Sequence, residues 1–242
     1  MTARKRLSRR MLVSAAGASL LAGYVAEARG RGVGRQEDEG ETVALPSPDR
    51  EGDLAVEAAI ANRRSRREYA DEPLSTAELG QLLWAAQGVT EPSTGHRAAP
   101  SAGATYPLEL YAVVGEGGVA DLPAGVYHYR PKSHSVERTR RGDVQAELRD
   151  AAVDQEWVGA GAVDVVVTGV DRRTVQRYGA RGRRRYVPME AGHAAENLYL
   201  QAEALDLAMV TIGAFADDQV VSLLDAPERN RPLSINPIGK RP

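Results

Sequence analysis

Cysteine is absent from this chain of 242 residues. That excludes a disulfide framework, thiolate-ligated zinc or iron–sulfur centres and redox thiols, so any redox chemistry has to be carried by a bound cofactor. Aromatic residues are few, 5% of the chain with a single Phe, against 24 Gly. Low side-chain bulk with Ala-rich helical stretches implies close backbone packing in an ordered α+β domain. The four histidines (His96, His128, His134, His193) show no metal-ligand spacing, and no metal site is expected. No G-x-G-x-x-G turn follows a strand, which argues against a Rossmann domain. Beyond the first 28 residues no apolar run reaches the roughly 20 residues of a membrane-spanning helix. The length suffices for one well-packed domain of about 200 residues without staples.

The start of the chain reads as an export signal. Arg4, Lys5, Arg6, Arg9 and Arg10 precede a mildly apolar stretch, Met11 to Ala26, and Ala26-Glu27-Ala28 forms an A-x-A cleavage pattern. Ser8-Arg9-Arg10-Met11-Leu12 resembles a twin-arginine signal. Residues 1–28 are therefore set apart from the fold, with export to the cell surface or beyond as the expected destination. Their removal takes five of 31 basic and one of 33 acidic residues, leaving 26 against 32. That balance does not suit a nucleic-acid partner, and the basic run Arg181-Gly182-Arg183-Arg184-Arg185 reads as a solvated face.

Residues 29–52 are rich in Gly, Glu, Asp and Pro without apolar periodicity, and are expected to form a flexible tether. The folded domain is placed at 53–242. An amphipathic helix runs from Asp53 to Asn62. Ser75-Thr76-Ala77-Glu78 is a capping box, after which Leu79, Leu82, Leu83 and Ala86 recur at helical spacing until Gly88. Residues 89–99 read as a polar loop and Leu108 to Val114 as a strand. Val126–Tyr129 and Ser135–Arg138 form a hairpin around Pro131-Lys132-Ser133. A helix over Val144–Val153, a buried Val-rich strand over Ala162–Val170 and a long small-faced helix over Tyr186–Leu207 follow. A short strand (Met209–Ile212), a helix (Asp217–Leu224) and a terminal strand (Leu233–Ile238) complete the reading.

Two motifs carry chemistry. Arg63-Arg64-Ser65-Arg66-Arg67 concentrates guanidinium groups and a hydroxyl where the first helix ends; guanidinium forks bind phosphate bidentately. Pro100-Ser101-Ala102-Gly103-Ala104-Thr105-Tyr106-Pro107 is a small-residue turn that lets backbone N–H groups approach a flat polar ring. A phosphate clamp and a ring-edge cradle together describe a nucleotide-type cofactor site.

At these residues the chain resembles the nitroreductase family of FMN oxidoreductases. Arg63-x-Ser65-x-Arg67 is similar to that family's phosphate motif. The ordered set RRSRREY, LLWAAQG, PSAGATYPLELY, MEAGHAAENLYLQAEALDLA and IGAF resembles its SagB-type dehydrogenase branch, over about Leu54 to Lys240. The resemblance implies a central sheet flanked by helices in an α+β sandwich, a homodimer, and FMN near the subunit interface. It places Arg63, Arg64, Ser65 and Arg67 at the FMN phosphate and ribityl chain, and Pro100, Ser101, Ala102 and Gly103 at the pyrimidine edge. The backbone of Gly213 and Ala214 falls near flavin N5 and O4, and Lys240 or Arg241 near the phosphate. Ala104 stands where general nitroreductases place an Asn. Azoline oxidases of this branch use a Lys-Tyr pair; here Tyr178 is kept and Arg177 replaces the Lys, and an arginine is a poor general base. The implied activity is FMN-dependent oxidoreduction of a small planar organic substrate. Oxidation of a heterocycle in a modified peptide, and flavin binding without turnover, are the alternatives.

Overall fold

The computed structural model describes residues 40–227 and 229–242. The export signal and residues 29–39 of the expected tether lie outside the described residues. At the core is a seven-stranded sheet: β1 (Thr42–Ala44), β4 (Leu108–Val114), β5 (Gly125–Arg130), β6 (Ser135–Arg141), β7 (Val163–Gly169), β8 (Leu207–Met209) and β9 (Arg231–Lys240). Its order is β1-β6-β5-β4-β7-β9-β8, with every pairing antiparallel.

Helices cover both faces, so β7 is buried at every position, and four of its seven residues are valines. Val163, Val165 and Val167 point into one apolar layer and Val166 into the other. In β4, Leu108, Leu110, Ala112 and Val114 take the first side, Tyr111 and Val113 the second. The first layer is roofed by α2 (Thr76–Gln87) and α5 (Val187–Ala204), the second by α3 (Gln145–Ala151) and α6 (Asp217–Leu223). Two shorter helices complete the set, α1 (Val56–Asn62) and α4 (Arg172–Tyr178).

The capping box forms as expected. The Glu78 N–H donates to Ser75 Oγ (3.1 Å) and the Ser75 N–H to Glu78 Oε2 (2.8 Å), an arrangement worth about 1 kcal/mol. Leu79, Leu82, Leu83 and Ala86 are fully buried, each Leu contributing roughly 2 kcal/mol. Gly88 ends α2 because the chain passes over Trp84: a Cβ there would lie 2.2 Å from Trp84 Cδ1. In α5 the small residues Ala191, Ala194 and Ala202 are buried beside Leu198, and Asn197 Nδ2 donates to the Ala85 carbonyl of α2 (2.9 Å).

Three local expectations are corrected. Residues 42–44, placed in a flexible tether, form β1 and pair with Ser135–Glu137 of β6. Their strand character comes from a partner about 90 residues away, which local composition does not register. Residues 89–99 are not simply a loop: β2 (Val89–Glu91) pairs with β3 (His96–Arg97) in a small hairpin. The long helix is entered through a π-helical turn, Gly182–Tyr186, where Gly182 packs tightly on Thr174 of α4.

Candidate functional site

Beyond α1 the backbone becomes extended: Arg63 takes φ −50° and ψ 124°. Alternation in an extended chain divides the arginine run between two sides. Arg63, Ser65 and Arg67 make one set. The Arg63 guanidinium lies 5.0 Å from the centre of the Tyr199 ring, and Arg67 lies 5.1 Å from that of Trp157. Ser65 Oγ is 3.1 Å from the Tyr199 hydroxyl, which also accepts the Thr211 N–H (2.9 Å). Among the described residues neither guanidinium has a carboxylate partner. Stacking fixes the planes and leaves their N–H edges available.

Arg64 and Arg66 are used structurally. Arg64 Nη1 donates to the Ala61 and Arg63 carbonyls at the end of α1, answering acceptors that a helix end leaves open. Arg66 pairs at 3.6 Å with the half-buried Glu203, and its backbone N–H donates to the Met209 carbonyl. Arg64, expected at the cofactor, is therefore drawn away from the set. So is Lys240, whose ammonium pairs with Glu78 of the capping box. Arg241 is held by Glu203 and Asp206.

Thr211, tied to Tyr199, leads into Gly213 and Ala214. Both are exposed, the space beside Gly213 is open, and Gln155 Nε2 donates to the Ala214 carbonyl (3.0 Å). Thus Arg63, Ser65 and the 211–214 segment, distant in sequence, meet around one tyrosine.

A second group forms at the turn before β4. Pro100 is exposed, and residues 102–104 make a 3₁₀ turn. Gly103, Ala104 and Tyr106 all take positive φ (59°, 52° and 42°), a concentration of backbone strain that surrounding contacts must hold. Those contacts are present. The Tyr106 N–H donates to Ser101 Oγ (2.9 Å), the Tyr106 hydroxyl accepts the Arg97 N–H (3.2 Å), and Arg173 Nη1 donates to the Tyr106 carbonyl (2.9 Å). Thr105 Oγ1 is 2.9 Å from Thr174 Oγ1. Gly103 suits the turn by its positive φ, and a Cβ there would lie 2.5 Å from the Tyr178 hydroxyl and 2.8 Å from Arg177 Nη1, side-chain ends that would have to shift. The structure therefore brings Tyr178 to this turn. Its ring stands edge-on to Tyr186 with centres 5.1 Å apart, while Arg177 donates to the Gly103 carbonyl (3.1 Å).

Behind the turn is a residue that sequence reasoning missed. Glu190, in the first turn of α5, is 2% exposed and its Oε1 has no partner. Burial pushes its carboxyl up to about 7, opposed by the Ser101 hydrogen bond and by Arg97. Tyr199 and Trp157 were also missed. The available signals were an acid at a buried register of an Ala-rich helix and a tyrosine on a small-residue face. Glu190 and Tyr199 lie nine residues apart on α5, so the two groups are separated by roughly 13.5 Å along its axis, at about 1.5 Å per residue.

An antiparallel sheet roofed on both faces, with free guanidinium edges at one place and a strained polar turn at another, defines the class. The chain belongs to the nitroreductase family, whose model matches residues 60–240. It is 40% identical, over 202 residues, to a protein of Methanocaldococcus jannaschii named as a nitroreductase; the match covers 84% of this chain and 98% of that one. A solved structure from Ralstonia eutropha JMP134, also titled as a nitroreductase, superposes with a TM-score of 0.74 at 29% identity, covering 85% of this chain and 91% of the other. The microcin B17-processing protein McbC of Escherichia coli is 27% identical over 170 residues, 69% of this chain and 62% of McbC. The family is one of oxidoreductases whose members generally bind flavin. No helix among the described residues is long and apolar enough to cross a membrane.

Proposed function

We propose that this protein binds FMN and uses it for oxidoreduction of a small planar organic substrate. The observation that carries the reading is the pair Arg63 and Arg67, which are held by ring stacking and carry no ion pair among the described residues. The remaining donors fit the rest of the cofactor: Ser65 for the phosphate end, the Ser101–Gly103 turn for the polar edge of the ring, and the backbone N–H groups of Gly213 and Ala214, which find no acceptor among the described residues. When bound, FMN supplies the hydride and electron chemistry that a chain without cysteine cannot. This chain's contribution is binding, orientation and positive charge near the ring, with Arg177 as a fixed cation beside Gly103. The two groups lie well apart on α5, which supports a site completed by a second copy of the chain. Mature protein purified after riboflavin supplementation is expected to be yellow and to release FMN on denaturation. Colourless protein that takes up no added FMN would overturn the reading.

A second reading, oxidation of heterocycles in a modified peptide, draws support from the likeness to McbC. Against it stands Arg177, which bonds the Gly103 carbonyl and lies 5.6 Å from the Tyr178 ring centre, a clamp and not a base. Tyr178→Phe is therefore expected to lower quinone or nitroaromatic reduction by well under the roughly 100-fold loss of a general acid–base group. A larger loss together with azoline oxidation by photochemically reduced and reoxidised enzyme would restore the peptide reading. Flavin binding without turnover is separated by the same donor and acceptor screen.

We further propose export in the folded state, which suits a protein loaded with cofactor before it leaves the cytoplasm. Replacing Arg9 and Arg10 by Lys is expected to retain the protein in the cell, because the pair itself is read. An unchanged exported level would point to another route. Outside the cell the electron donor would be quinone-linked, or the flow would run from substrate to oxygen.

A further inference from the structure

We propose that Tyr199 is a positioning residue for the cofactor phosphate: its hydroxyl, fixed by the Thr211 N–H, donates to Ser65 and so turns the serine proton outward to the ligand. The inference rests on the FMN reading above. It begins from the hydrogen-bond capacity of two hydroxyls. Tyr199 Oη accepts the Thr211 N–H at 2.9 Å and lies 3.1 Å from Ser65 Oγ. Each hydroxyl has one proton to give, so two polarities are open to the pair. If Ser65 donated, the phenol proton would find no acceptor among the described residues, and the serine would have nothing left for a phosphate. If Tyr199 donates, every proton in the chain has a use. The Thr211 N–H goes to the phenol, the phenol to the serine, and the serine proton is free on the exposed side of the segment. Each bond in such a chain polarises the next, so the terminal hydroxyl becomes the stronger donor.

The chain of bonds is anchored in the core. Thr211 Oγ1 donates to Asn236 Oδ1 (2.9 Å), and Asn236, itself fully buried, donates to the Val165 carbonyl of β7 (2.8 Å). The Tyr199 ring packs against the first apolar layer and carries the Arg63 guanidinium 5.0 Å from its centre. Ring and hydroxyl thus have separate tasks on one side chain. The ring sets the plane of one cation, and the hydroxyl sets the direction of one proton. Arg67 is held independently on Trp157, so removal of the hydroxyl alone leaves both cations in place. The 211–214 segment also has attachments of its own, through Asn236 and through the Ile212 N–H, which donates to the Ile235 carbonyl (2.8 Å). The effect of losing the phenol oxygen therefore falls on Ser65.

FMN and riboflavin affinities of apoprotein, read by flavin fluorescence, test the assignment, since riboflavin is the same molecule without the phosphate. Tyr199→Phe keeps the ring and removes the hydroxyl. It is expected to bind FMN roughly 3- to 10-fold more weakly, the effect of one misdirected hydrogen bond to a charged group, and riboflavin within about twofold of wild type. Ser65→Ala should weaken FMN by about tenfold. Adding Tyr199→Phe to it should cost less than about a further twofold, because the phenol acts through the serine. With p-aminophenylalanine in place of Tyr199 a proton to donate is kept, and FMN affinity should return to within about twofold of wild type. That variant also serves where the Phe variant does not fold. A merely structural role would move both flavins together. Wild-type FMN affinity in Tyr199→Phe, equal losses for FMN and riboflavin, additive losses in the double variant, or an amino variant as weak as Ser65→Ala would each overturn the role of Tyr199 while leaving FMN binding intact. No flavin binding by the wild type would overturn the cofactor reading and this inference with it.

Discussion

Replacing Arg63 and Arg67 together by alanine is expected to strip FMN from the protein during purification. Each charge-assisted bond to a phosphate contributes about 1.5–3 kcal/mol, or roughly 10- to 100-fold in affinity. Because both would hold one phosphate, the pair is coupled and the double loss is set at a hundredfold or more. Fluorescence titration of apoprotein measures it directly. The fold should be nearly untouched, since Arg67 is exposed and neither side chain closes an ion pair, and such surface changes shift stability by about 0.5 kcal/mol. Arg64→Ala is the internal control: its guanidinium faces the α1 carbonyls, so affinity should fall less than about threefold, a few tenths of a kcal/mol. Wild-type affinity in the double variant, or an equal loss in Arg64→Ala, would show the clamp to be elsewhere.

The largest expected effect on stability comes from Asp164, on β7. It is fully buried; Oδ2 accepts from Gln145 Nε2 (3.0 Å) and Oδ1 from the Gly159 N–H (3.2 Å). Asp164 thus latches the 159–162 segment and α3 to the central sheet. Asp164→Ala leaves the half-buried Gly159 N–H and one hydrogen of the buried Gln145 amide, whose nitrogen keeps the Gly161 carbonyl, without an acceptor; that costs about 2–5 kcal/mol, and at roughly 2–4 °C per kcal/mol the Tm should fall by about 4–20 °C. Burial raises its carboxyl from 3.8 to about 7. The folded state therefore binds a proton that the unfolded state has released. The associated stability is complete below about pH 4 and is lost as pH rises through about 7, some 4 kcal/mol in order of magnitude. The alanine variant lacks this slope, so its deficit against wild type should be greater at pH 5 than at pH 8. A deficit that grows with pH would refute the assignment.

Which parts of the molecule could be read from the chain follows from the range of the forces that set them. The capping box, the alternating β4, the valine run of β7 and the hairpin at residues 131–133 are specified by neighbours within a few positions, and they form as expected. β1 is not, because an edge strand of three residues is decided by β6. In the site, sequence grouped five residues from Arg63 to Arg67, and the backbone separates them by alternation. Arg64 turns to its own helix, and Lys240 finds Glu78, 162 positions away. Gly103 and Tyr178 were legible as motif members, yet their contact is a product of the fold. Glu190 and Tyr199 were marked only by their register on a small-residue helix and Trp157 by nothing local, since their roles are defined by what packs on them.

The segment that carries the arginines also settles how the sheet ends. β1 and β8 close its two sides, each only three residues long. On the β8 side the Met209 carbonyl is already taken by the Arg66 N–H. Open strand edges recruit further chains, and short or covered edges suppress that addition. Loss of the 63–67 stretch, by truncation or proteolysis, would uncover the β8 margin and remove the proposed phosphate clamp with it. Such a fragment should self-associate through its exposed rim, so resistance to aggregation and the proposed grip on the cofactor are tied to one short segment.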